Sequence, residues 1–171
     1  MIVRAILFAC LFAAFTPSPP ARAQAPIPTP PCAPYGGMDF ICDAHRPEDL
    51  IRIPAMDWII ASGFENGAGL KLINTETRAM TLWYTGAKAQ LRPDRRAYPK
   101  CPGAPDVRLF NVQGIALKPG KDATYTLYAT NHGGRESIEV FTVTVKSGAT
   151  PNLAWNGCVL MPDGYPANSV K

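Results

Sequence analysis

From Leu50 to Leu160 the chain repeats one pattern: a short run rich in apolar, β-branched and aromatic residues, a turn signal, then another such run. Leu50–Ile53 is a short extended piece. Trp58-Ile59-Ile60-Ala61-Ser62 stops at Gly63, and Glu65-Asn66-Gly67-Ala68-Gly69 supplies the turn. Leu70-Lys71-Leu72-Ile73-Asn74 alternates in part, and Thr75–Arg78 turns the chain into Met80-Thr81-Leu82-Trp83-Tyr84. Further on, Val112–Leu117, Thr124–Thr130, Ser137–Val145 and Leu153–Leu160 read as strands. The clearest hairpin joins the middle two, with Gly133-Gly134 at the reversal. No segment carries a convincing 3.6-residue period, and 14 Gly and 18 Pro further oppose helices. The prediction is an all-β fold of antiparallel meanders.

The strand Ser137–Val145 narrows this further. One face carries Ser137, Glu139, Phe141, Val143 and Val145, the other Ile138, Val140, Thr142 and Thr144. Neither face is polar throughout, which suits a strand covered on both sides. Such units build either a sandwich or the blades of a propeller. With 47% hydrophobic and 18% charged residues among 171, the chain has material for one sizeable core and is too apolar for a disordered tail.

Residues 1–23 read as a signal peptide: Arg4, an apolar run from Ala5 to Phe15, then the small-residue site Ala21-Arg22-Ala23 with cleavage before Gln24. The apolar run is about half the ~20 residues that a membrane-spanning helix needs, so no transmembrane anchor is expected. Leu7-Phe8-Ala9-Cys10 also loosely matches a lipoprotein box. Residues 24–34 form a proline-rich leader, and the folded domain is placed at 35–171. Export implies an oxidising compartment, periplasmic or extracellular, where Cys32, Cys42, Cys101 and Cys158 allow three pairings. Cys101 and Cys158, both inside the folded region, are one candidate pair. The alternatives are a partner outside this chain for Cys32 or Cys42, and free thiols. With no C-x-x-C and only His45 and His132, a zinc site is not expected.

Of 17 basic residues Arg4 and Arg22 leave with the signal, so the excess over 13 acidic ones falls to two. That weak excess excludes nucleic acid as an expected partner. The stretch from Gly86 to Pro105, with Arg92, Arg95 and Arg96, reads as a surface loop whose basic cluster is a solvated face. There is no G-x-S-x-G elbow, no H-E-x-x-H and no phosphate-binding glycine loop.

Three motifs, taken in order, carry a resemblance. Pro47-Glu48-Asp49-Leu50 leads into the strand ending Ala61-Ser62-Gly63. Gln113-Gly114-Ile115 opens a strand that leads on to Leu127-Tyr128-Ala129-Thr130-Asn131-His132-Gly133. Ser137-Ile138-Glu139-Val140-Phe141 precedes Met161-Pro162-Asp163-Gly164 and then Asn168. This order and spacing resembles the start of the calcium-dependent six-bladed β-propellers of the paraoxonase/arylesterase and gluconolactonase-like superfamily, over roughly residues 42–171.

Calcium takes six to eight oxygen ligands. Neighbouring strand residues point to opposite sides, so Glu48 and Asp49 suit two ions rather than one. The resemblance implies that division: Glu48 and the Asn168 side-chain amide at a catalytic calcium, Asp49 and the Ile115 backbone carbonyl at a structural one. It also implies a catalytic pair at His132 and Gln113, where His132 assists the residue that activates water at the metal. Gln113 stands where the family has a second histidine, and glutamine takes no proton near neutral pH. Ser169 follows Asn168 where paraoxonases carry an aspartate. Absent these motifs, Glu48-Asp49 reads as a polar turn entering a strand.

At ~40–50 residues per blade the folded part suffices for about three blades, against ~4–8 in a closed propeller. The expectation is therefore an incomplete propeller, the amino-terminal fragment of an exported calcium-dependent hydrolase of small-molecule esters or lactones. The alternative expectation is a non-catalytic secreted β-propeller or β-sandwich that binds a ligand or partner. Neither reading sets an oligomeric state.

Overall fold

A computed structural model of the chain describes residues 32–42 and 44–171, all within the unit Pro31–Lys171. The signal-peptide and most of the leader assignments lie outside the described residues. Among those described, eight strands and one 3-10 turn form, and the fold is all-β. The strands are β1 Pro47–Arg52, β2 Trp58–Gly63, β3 Leu70–Asn74, β4 Met80–Leu82, β5 Val112–Pro119, β6 Thr124–Asn131, β7 Ser137–Thr144 and β8 Asn152–Leu160. They build two antiparallel meander sheets, β1-β2-β3-β4 and β5-β6-β7-β8.

Two reversals have a local cause, and a third rests on a close backbone approach. Between β3 and β4, the Asn74 side-chain oxygen accepts from the N–H groups of Glu76 and Thr77 at 3.0 and 2.8 Å, an Asx turn. Between β5 and β6, Gly120 donates to the Thr124 carbonyl, and Asp122 and Ala123 take positive φ of 50° and 54°. Between β6 and β7, Gly133 runs against the Leu109 carbonyl so closely that any Cβ would overlap it.

The two sheets share one core. Ile60, Leu70 and Leu72 of the first sheet join Ile115, Leu127, Ala129, Phe141 and Val143 of the second, all essentially buried. Tyr84 and Phe110, from the ends of the segment joining the sheets, fill the space between. Tyr84 meets Phe110 and Phe141 edge-to-face at 5.5 and 5.1 Å between ring centroids. In β7 the face of Ser137, Glu139, Phe141 and Val143 is buried, while Ile138, Thr142 and Thr144 on the other face are half-buried.

Length alone suggested about three sheets; the described residues form two, because residues 83–111 hold no strand and only the turn Lys88–Gln90. That segment is also more than a surface loop. Leu91 bridges in parallel to Trp155, Arg92 and Asp94 donate to the Trp155 and Asn156 carbonyls at 2.9 and 2.8 Å, and Tyr98 packs on Gly157. The segment thus covers the outer edge of the second sheet, an edge otherwise open to pairing. Arg92, Arg95 and Arg96 are exposed. A disulfide joins Cys101 to Cys158 on β8, and a second closes Cys32 to Cys42. The pair read as open to outside partners closes on itself, around the turn at Gly36-Gly37 that bridges Tyr35 to Met38.

Candidate functional site

The site is built where β1 meets β5, the strands that start the two sheets. In β1 the alternation separates the acidic pair: Glu48 is exposed and Asp49 half-buried. The Asp49 N–H donates to Ser62 Oγ on β2 at 2.9 Å, fixing the strand's entry. Asp49 Oδ1 accepts from the Leu50 N–H at 2.9 Å, and Oδ2 accepts from the Ile115 N–H at 3.0 Å. Asp49 and Ile115 are thereby neighbours across 66 residues of sequence.

The pairing of β5 with β6 is irregular between Val112 and Ile115, and on this edge strand the Ile115 N–H turns outward to Asp49. Gly114, within the irregular stretch, lies under the Asn168 carbonyl and Ser169; a Cβ there would sit 2.9 Å from the former and 2.7 Å from Ser169 Cα. A glycine is what lets the carboxy-terminal segment approach this strand. The Asn168 and Glu48 side chains are both exposed and make no hydrogen bond or ion pair among the described residues.

Gln113 and His132 also meet: His132 Nε2 is 2.9 Å from Gln113 Oε1. The other ring nitrogen, Nδ1, is 2.8 Å from Glu136 Oε2 and 3.1 Å from Oε1. Phe64 packs edge-on against the ring at 5.5 Å. Asp49 thus contacts Ile115, Gln113 contacts His132, and the backbone at 168 lies against Gly114. Two expected arrangements differ: Asp49 engages the N–H of Ile115, not its carbonyl, and the Glu48 and Asn168 side chains make no contact with each other among the described hydrogen bonds and ion pairs.

The expected donors are of the type calcium takes, hard oxygens, two for each ion of the six to eight it needs. Asp49 keeps accepting capacity beyond its two N–H bonds, since a carboxylate offers about four lone-pair sites. Glu48, the Asn168 amide and the Ile115 carbonyl are likewise hard oxygen donors. No cluster of three or more His, Cys, Asp and Glu side chains occurs among the described residues. The expected donor sets do not require one, because each pairs a single carboxylate with carbonyl oxygens.

Behind His132 lies a buried polar cluster. Glu139, fully buried, accepts at Oε1 from Arg135 Nε and Nη2 at 3.0 and 2.7 Å and from Ser137 Oγ at 2.7 Å. Its Oε2 accepts from Trp155 Nε1 at 2.7 Å. Arg135 Nη2 also donates to the Gly103 carbonyl at 2.8 Å, which ties the turn to the segment covering β8. Burial, and to a lesser degree the charge of Glu139, push the Tyr84 hydroxyl up to about 12. On the first sheet, burial pulls the Lys71 ammonium below its usual value; it donates to the Ala68 carbonyl at 2.7 Å.

Sequence reading missed Glu136 and the Glu139 cluster. The signal for Glu139 was a charged residue on the otherwise apolar face of β7, since a buried carboxylate demands partners. Glu136 offered only the four-residue spacing from His132, which carries no meaning until the turn brings the two together. No protein-family model, curated protein or solved structure matches the chain.

Proposed function

We propose that the protein acts as an exported, calcium-dependent hydrolase of small-molecule esters or lactones, gluconolactonase- and arylesterase-like, its two sheets being neighbouring blades of a β-propeller. The observation that carries this reading is the junction of β1, β5 and the carboxy-terminal segment: Asp49 bonded to Ile115, with Gly114 beneath Asn168 and Ser169. Asp49, the Gly114-Ile115 backbone and the Asn168 backbone, from three distant stretches, meet there.

Glu48 and the Asn168 amide would hold the catalytic ion, Asp49 and the Ile115 carbonyl the structural one. Calcium held there would supply a Lewis acid able to polarise an ester or lactone carbonyl and acidify water. The chain's own part is positioning. Asp49 locks β1 to β5, Ser62 sets the depth of Asp49, and the amide of Gln113 reaches His132. An amide has no basic site near neutral pH, so Gln113 itself takes no proton and would act on water only by hydrogen bonding, with His132 behind it. Two disulfides are compatible with an extracellular or periplasmic setting. No helix among the described residues is long and apolar enough to cross a membrane.

A second reading, a non-catalytic secreted propeller or sandwich that binds a ligand, is favoured by Gln113 itself and by the engagement of both His132 nitrogens. One experiment separates them. Calcium at about 100 times its dissociation constant adds ~2.7 kcal/mol of stability, roughly 5–11 °C in Tm for a domain of this size. The rise should be much reduced in Glu48→Ala and Asp49→Ala, each compared with its own calcium-free Tm. Calcium-dependent turnover of aryl esters or lactones completes the hydrolase reading. A Tm rise without turnover supports the binding module, and no rise in the unmodified protein overturns the metal reading.

A further inference from the structure

His132 sits on a turn whose other members are tied down. Asn131 Oδ1 accepts from the N–H groups of Gly133 and Asn111 at 3.0 and 3.2 Å, and its Nδ2 donates to the Gly133 and Arg135 carbonyls, both at 3.1 Å. Arg135 is drawn inward by Glu139. Glu136 points the other way, back to the ring, with both carboxylate oxygens within hydrogen-bond reach of Nδ1. Phe64 closes one side of the imidazole, flanked by the Arg46–Glu65 pair at 3.6 Å. The ring, its side chain 15% exposed, is held in one orientation.

An ionised carboxylate can only accept, so Nδ1 carries a proton whenever it faces Glu136. Nε2 is then the variable atom. When Nε2 is protonated it donates to the Gln113 carbonyl, the arrangement seen here at 2.9 Å. When it holds a lone pair, two acceptors would face each other, and the Gln113 amide must turn over to donate its N–H.

We propose that Glu136 is a positioning residue that fixes the neutral His132 ring as the Nδ1–H form, and through it sets which end of the Gln113 amide is turned away from the ring. With the ring neutral that end is the carbonyl, an acceptor for a water or substrate hydroxyl. With the ring charged it is the NH2 group, a donor to an oxyanion. Without Glu136 the neutral ring can place its proton on Nε2, and the outward carbonyl is lost. The consequence for catalysis rests on the hydrolase reading; the tautomer does not.

Nitrogen-15 spectra of the imidazole, recorded on the full chain at a pH where the ring is neutral, test this. Unmodified protein should show a protonated Nδ1 and a lone pair at Nε2. Glu136→Ala should move the proton largely to Nε2, whereas Gln113→Leu should leave it on Nδ1. A neutral wild-type ring protonated at Nε2 overturns the inference, as does a folded Glu136→Ala protein with an unchanged spectrum. If Glu136→Ala does not fold, the wild-type and Gln113→Leu spectra decide. Where turnover exists, Glu136→Ala should lower kcat about tenfold with KM little changed, and an equal rise in KM with unchanged kcat counts against positioning. A protein without turnover sinks the proposed function and leaves the spectra to judge this inference.

Discussion

Breaking the Cys101–Cys158 bridge should cost this protein about 4 kcal/mol. The two cysteines are 57 residues apart. In the chain-entropy account a closed loop of that length removes about 14 cal/mol/K from the unfolded ensemble, or about 4 kcal/mol at 25 °C. Both residues are buried, at 8% and 3% exposure, so substitution to alanine adds a packing loss that reduction does not. Reduced wild type keeps the thiols in place and loses only the cross-link. Urea unfolding followed by tryptophan fluorescence should therefore show a midpoint about 2 M lower after reduction, taking m as about 2 kcal/mol/M. Thermal unfolding should fall by roughly 8–16 °C, and Cys101→Ala with Cys158→Ala somewhat further. Exclusive reduction of this bridge is obtained in a Cys32→Ser, Cys42→Ser background. A loss under about 1 kcal/mol there would refute the reasoning, since the segment would then be held on β8 by its backbone bonds and Tyr98 alone.

Two further outcomes follow from single atoms. The Tyr84 hydroxyl is buried without a hydrogen-bond partner among the described residues and titrates at about 12 against an ordinary 10. The unfolded chain therefore loses this proton first. Stability should be unaffected below pH 10 and fall by up to about 2–3 kcal/mol between pH 10 and 12. Tyr84→Phe should abolish that fall and cost little at neutral pH; a loss above about 2 kcal/mol at pH 7 would reveal a partner for the hydroxyl. Gly133→Ala forces a Cβ against the Leu109 carbonyl, so it should destabilise by about 3 kcal/mol. It should also shift the His132 ring signals, and unchanged signals would show that the turn yields elsewhere.

Much of the strand pattern was legible because short-range chemistry sets it. Turns such as Glu65–Gly69 and Lys118–Asp122 punctuate runs of β-branched residues, and those runs are the strands within a residue or three at each end. Of the positions named by resemblance, Asp49 meets Ile115 and Gln113 meets His132, whereas the Glu48 and Asn168 side chains make no hydrogen bond among the described residues. The Gly86–Pro105 stretch was not legible. Its polar and proline-rich composition matches a solvated loop, yet the backbone of Leu91–Asp94 adds to the edge of β8, which no composition reports.

Residue order alone determined that this chain makes hairpins, because each turn is closed by groups within a few positions of one another. It also determined that Glu48 and Asp49 face opposite ways, a consequence of the two-residue strand period. Tertiary structure alone decided that the Ile115 N–H would meet Asp49, that Cys32 would close on Cys42, and that Glu136 would meet His132. Those outcomes depend on how two sheets stack and where a turn folds back. Contacts of that kind are made between surfaces that exist only after the strands have formed.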